Sequence, residues 1–130
     1  MIHAAAILST ALLFGGMTLY SFGFAAFLFS ALPSATAGQV LRKAFPWFYG
    51  FVIVTASLAA GFWWFTATLH VAVLAAVGLT ALMACQILMP AINNATDRGL
   101  RQRFKWLHGL SVLITVSHIV ATAWLLVATV

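Results

Sequence analysis

Between positions 45 and 89 the chain carries no charged residue. One helix needs about 20 apolar residues to cross the hydrocarbon of a bilayer. A run of twice that length cannot cross once, so it must fold back on itself. The turn is expected at 65–69, where Thr66 and Thr68 follow Trp63 and Trp64.

The rest of the chain agrees. It is 65% apolar, with six Lys and Arg and a single acid, Asp97. Soluble domains are about 25% charged, and a soluble fold of this size could not hide so much apolar surface. Residues 2–32 form another apolar run. No Lys or Arg precedes it, and it is too long for the apolar part of a signal peptide, so it reads as a first span ended by Pro33. Pro90 is expected to end the third span. The resulting fold class is all-α: an integral membrane four-helix bundle forming one domain over 1–130, with spans at about 2–32, 45–65, 69–89 and 107–130.

All six cations fall in two polar connections, 34–44 and 91–105, on one face of a four-span chain. The positive-inside rule makes that face cytoplasmic and puts both termini outside, as expected of a bacterial inner-membrane protein. The lipid bilayer is then the main partner, with anionic lipid head groups at the basic connections. The cations are too few and too local for a nucleic-acid partner. Trp47 and Trp106 would mark the inner interface, and Trp63, Trp64 and Trp124 the outer one.

Much chemistry is excluded. One carboxylate makes no general acid/base pair and no hard-cation cage. The lone Cys85 closes no internal disulfide and no multi-thiolate site. Neither a phosphate-binding loop nor an oriented nucleophile is visible, so the chain is not expected to be an enzyme.

Two hairpins look alike. Leu32-Pro33, a basic stretch and Phe45-Pro46-Trp47-Phe48-Tyr49-Gly50 are echoed by Met89-Pro90, a basic stretch and Phe104-Lys105-Trp106-Leu107-His108-Gly109. A duplication would make Tyr49 and His108 equivalent. Small residues recur every seven positions at Ser9, Gly16, Gly23 and Ser30, and every four at Ala72, Ala76, Thr80 and Ala84. Both stripes suggest close helix packing.

The fourth span carries the most information. His108, Ser111, Thr115, His118 and Thr122 are spaced 3, 4, 3 and 4, which puts them on one face. Facing lipid, such groups would be costly, so the stripe should face the bundle interior. His118 lies near mid-membrane, at a depth shared with Tyr20 and Ser57 and within about a turn of Met17 and Thr80. It either hydrogen-bonds to a hydroxyl or carbonyl and fixes helix register, or contacts a ligand, metal or cofactor, or relays protons. His118, Thr115, Ser111, His108 and Tyr20 are the candidate ligand-facing residues. His118 and Met17 are weak metal-ligand candidates, which leaves haem or copper as a cofactor reading. His108 is expected to pack against the first basic connection near Gln39. His3 and His70 both fall near the outer face.

Ala37-Gly38-Gln39 with Phe45-Pro46-Trp47-Phe48-Tyr49, and Arg103-Phe104-Lys105-Trp106-Leu107-His108-Gly109-Leu110-Ser111, resemble motifs of the cisplatin-resistance-associated transmembrane protein family. Bacterial members of that family carry only a domain of unknown function. The resemblance implies a four-helix membrane protein and maps His108 and Ser111 onto any common site. Thr115 departs from the usual Asn, and His118 is outside the pattern.

The leading functional expectation is a non-enzymatic bundle that binds or passes a small ligand or ion along the polar face of the fourth span. The alternatives are a haem- or copper-binding protein, and a packing subunit in a homo-oligomer or a larger membrane complex.

Overall fold

A computed structural model describes residues 1–129; Val130, the last residue of the expected fourth span, lies outside the described residues. Four helices, each long and apolar enough to cross a membrane, make up the fold: α1 Ile2–Ala31, α2 Ser34–Trp63, α3 Thr68–Asp97 and α4 Arg101–Val127. There is no strand among the described residues. The protein is an integral membrane four-helix bundle. Its helices form a ring in which each packs against its neighbours in sequence, and α4 closes back on α1.

Each helix turns a heptad-like stripe to the core. The stripes run through buried Ala6, Thr10, Leu13 and Met17 in α1; Tyr49, Val52, Ala56, Ala59 and Trp63 in α2; Leu74, Val77, Ala81, Ala84 and Leu88 in α3; and Ser111, His118, Thr122 and Leu125 in α4. Alternating steps of three and four suit the shallow left-handed crossing common to membrane bundles.

Apart from the buried Ala84, the two small-residue stripes lie beside these faces. Ala72, Ala76 and Thr80 are exposed beside the core stripe of α3, and in α1 Ser9, Gly16 and Gly23 are half-buried. Of the two glycines in the α1 stripe, Gly16 is pressed by another helix, since a Cβ there would collide with the ring of Phe51 in α2, whereas one at Gly23 would meet only Leu19 of its own helix. Trp63 also departs from expectation. It is 3% exposed, a core residue rather than part of an interfacial belt, whereas Trp47, Trp64, Trp106 and Trp124 are exposed.

The polar connections are mostly helical. α2 begins at Ser34, directly after Pro33, so the first basic stretch is its opening turns. Pro90 does not end α3. A proline removes a backbone donor and crowds the carbonyl four residues back. Here the preceding segment Ala84–Leu88 is a π-helix, with Met89 N–H reaching Ala84 O, and the chain runs on to Asp97. A tight turn then reverses it. Gly99, at φ 65°, and Leu100 donate to Thr96 O and Ala95 O, the Schellman pattern that ends a helix on a left-handed glycine.

A second π-helix, Leu19–Phe24, interrupts α1, with Ala25 N–H reaching Tyr20 O. No proline lies in or next to it. The hairpins therefore differ internally. Tyr49 is buried whereas His108 is exposed, so equivalent sequence positions occupy unlike surroundings.

Candidate functional site

Polar groups that meet between helices or await a partner fall into two sets. The first obeys one rule, repeated three times. A threonine donates its only hydroxyl proton to the carbonyl four residues back in its own helix, and its oxygen then accepts a ring N–H from another helix. Thr10 bonds Ala6 O at 2.8 Å and receives Trp63 Nε1–H at 3.1 Å, joining α1 to α2. Thr80 bonds Ala76 O at 2.7 Å and lies 2.6 Å from His118 Nε2, joining α3 to α4. Thr129, just beyond α4, bonds Leu125 O at 2.6 Å and lies 3.2 Å from His70 Nε2 of α3.

With the threonine proton spent, both histidines must be the donors, which assigns the Nε2–H tautomer and leaves Nδ1 as the acceptor nitrogen. Trp63 is also in contact with both outer histidines. Its ring lies 5.1 Å from His3, edge-on, and 4.4 Å from His70.

The second set lies toward the basic end and does not obey the rule. Tyr49 Oη of α2 and Ser111 Oγ of α4 meet across the bundle at 3.4 Å, a long contact for two hydroxyls. Tyr20, in the π-helix of α1, stacks on Phe48 with ring centroids 4.3 Å apart, and Phe45 lies 6.0 Å from Tyr20 and 6.2 Å from Tyr49. The Tyr20 hydroxyl is buried and has no hydrogen-bond partner, alone in this among the described residues. A buried hydroxyl without a partner is expensive. It stands out all the more beside a widened turn of the kind that often marks functional positions.

The sequence candidates are thus divided. Ser111, His118 and Thr122 are buried on the inner face of α4, with Thr115 half-buried between them. Thr122 bonds His118 O at 2.8 Å and is spent on its own helix. His108 is exposed and stacks on Phe104 of its own helix, ring centroids 5.4 Å apart and planes 6° from parallel. Ser57 is exposed and bonds Ile53 O. Met17 is fully buried in the apolar core.

Tyr49 is the residue that the polar stripe of α4 alone did not reveal. Its signal lay in α2, where Tyr49 opens the stripe that continues through Val52, Ala56, Ala59 and Trp63.

Nε2 of His118 is engaged by Thr80, and no group of three His, Cys, Asp or Glu comes together among the described residues.

The fold and these contacts define a class: a small integral membrane bundle, closed by hydrogen bonds between helices, with one buried unpartnered hydroxyl. A family profile described as a domain of unknown function, DUF4149, matches residues 8–101. The chain belongs to that family. The match takes in Tyr20, Tyr49 and Thr80 and stops where α4 begins, so His108, Ser111 and His118 lie beyond it. No curated protein and no solved structure matches the chain.

Proposed function

We propose that this chain is a non-enzymatic membrane bundle that binds a small ligand bearing a hydrogen-bond acceptor, between Tyr20 and the Tyr49–Ser111 pair on the polar face of α4. The observation that carries the reading is the buried, unpartnered hydroxyl of Tyr20. A phenol held there is a donor without an acceptor, and the nearby Tyr49–Ser111 contact is long enough to yield to a better partner. The aromatic rings of Phe45 and Phe48 give the site apolar walls.

This reading moves the ligand from His118, whose Nε2 is occupied, to the layer nearer the basic end. Following the positive-inside rule, that end faces the cytoplasm of a bacterial inner membrane, with both termini on the far side. Kinship with the cisplatin-resistance family belongs to the same reading. It draws support from the Phe45–Tyr49 and Leu107–Ser111 motifs, the second of which lies beyond the matched segment.

The test is native mass spectrometry of protein extracted from its own membrane in mild detergent. The wild type should carry a small adduct that Tyr20→Phe loses and His118→Ala keeps. A wild type with no adduct, or an adduct unchanged in Tyr20→Phe, overturns the reading.

A further inference from the structure

The turn between α3 and α4 gathers charge that no residue of the chain can neutralise. Asp97 is the only acid in the sequence. Both its oxygens are taken by Arg42 of α2, with Nη1 at 2.6 Å from Oδ1 and Nη2 at 2.9 Å from Oδ2. Arg98, Arg101, Arg103 and Lys105 follow it, all exposed, and there is no second carboxylate side chain to pair with them.

These cations border a shaped surface. A shallow groove of about 360 Å³ is lined by Ala95, Thr96, Gly99, Arg101, Phe104 and Lys105. Arg101 and Lys105 are four residues apart on α4 and so project from the same side of the helix. The Schellman turn keeps the opposite wall low, because Gly99 has no side chain and a Cβ there would meet nothing within 4 Å. Phe104, half-buried, supplies apolar surface between the charges, over the fully buried Ala95.

The groove also sits at the right depth. Apolar sequence ends beside it, and Trp106, 74% exposed one residue beyond Lys105, has the placement of an interfacial anchor. Two cations over apolar walls at a membrane interface match a phosphodiester carrying an acyl chain. A free phosphate would use the cations and leave the apolar walls unused.

We propose that this groove is a binding site for the phosphate of an anionic phospholipid, with Arg101 and Lys105 holding the charge and Phe104 covering the glycerol and upper acyl chain. The site lies on a different part of the molecule from Tyr20, and neither depends on the other.

The experiment titrates purified full-length protein in detergent with phosphatidylglycerol or phosphatidylcholine of the same chain length, counting bound lipids by native mass spectrometry. Wild type should retain phosphatidylglycerol preferentially. Juxtamembrane basic residues each contribute roughly a factor of five at a membrane surface, so Arg101→Gln/Lys105→Gln should lower that retention by about tenfold or more. The control Lys43→Gln/Arg103→Gln removes the same charge outside the groove and should lower retention clearly less than the groove pair does. Phe104→Ala should weaken lipid retention with all cations present. Equal retention of the two lipids overturns the proposal, as does an equal loss in the two double variants. Displacement of the lipid by millimolar glycerol phosphate would show that the anion alone suffices and would overturn the assignment to a lipid. Circular dichroism checks that each variant keeps its helices; the substituted cations are exposed and support no core contact.

Discussion

The two halves of the bundle treat buried polarity differently. From His118 outward to the termini, ring N–H groups of Trp63, His70 and His118 each end on a threonine oxygen of another helix or its end. Toward the basic end, Tyr49 and Ser111 meet at the limit of a hydrogen bond and Tyr20 meets nothing. The first arrangement consumes its polar groups in holding helices together. The second leaves donors uncommitted at a structural cost, which makes it the better place to look for a ligand.

The largest expected effect lies in the outer half. Trp63 packs at the core, contacts His3 and His70, and bonds Thr10. Trp63→Ala should destabilise the bundle by about 3–5 kcal/mol. Trp63→Phe, which keeps most of the ring and loses the N–H, should cost about 1 kcal/mol. Reversible unfolding in mixed micelles measures both, and equal costs would mean that packing alone matters at this position.

The opposite sign is expected in the inner half. Tyr20→Phe removes a hydroxyl that is buried without a partner, and such a group costs about 1–3 kcal/mol. In protein stripped of bound small molecules the variant should therefore be more stable than wild type. A loss of stability would reveal a bond to Tyr20 and remove the contrast between the halves.

This contrast was only partly legible in the sequence. Four apolar runs and their spacing were enough for the bundle, because a span is set by length and hydropathy, and the 4, 3 spacing of Ser111, Thr115 and His118 marked the polar face of α4. The helix ends were harder to read. Lys43 and Arg42 look like connection residues by polarity, yet they sit in the opening turns of a continuous helix. Pro90 looks like a terminator, yet a π-helix absorbs it. Counting residues puts Tyr20 at the depth of His118 and Ser57, whereas its ring stacks on Phe48, nearer the basic end. Whether its hydroxyl finds a partner depends on the π-helix of α1 and on a ring in α2, neither of which periodicity predicts.

His118 and Thr80 provide a finer test of the outer rule. A double-mutant cycle with His118→Phe and Thr80→Val isolates their bond from the packing of either side chain. Interhelical hydrogen bonds in membranes average about 0.6 kcal/mol and reach about 1.7 kcal/mol, and a 2.6 Å contact belongs in the upper part of that range. The same cycle on Tyr49→Phe and Ser111→Ala should give less, because that contact is 3.4 Å long. If the Tyr49–Ser111 coupling is the larger, the inner layer is as firmly fastened as the outer one.

The smallest expected effect concerns Arg42 and Asp97, which tie α2 to α3 beyond the apolar core. The guanidinium hydrogen bond from Arg42 holds the Asp97 carboxyl below its ordinary range. A carboxylate whose folded pKa is depressed adds stability above its unfolded pKa and loses it as pH falls through the folded one. Stability should therefore be flat from neutral pH down to about pH 4 and decline only in stronger acid. Both partners are exposed, so the decline should be slight and should shrink further in high salt. Asp97→Asn should remove it while leaving the unfolding midpoint at pH 7 almost unchanged. Asp97→Asn also returns Arg42 to the basic face as an unpaired cation, so phospholipid retention at the groove between α3 and α4 should stay the same or rise. A fall in retention would mean that the ion pair shapes the groove rather than merely occupying the one acid that could compete for its cations.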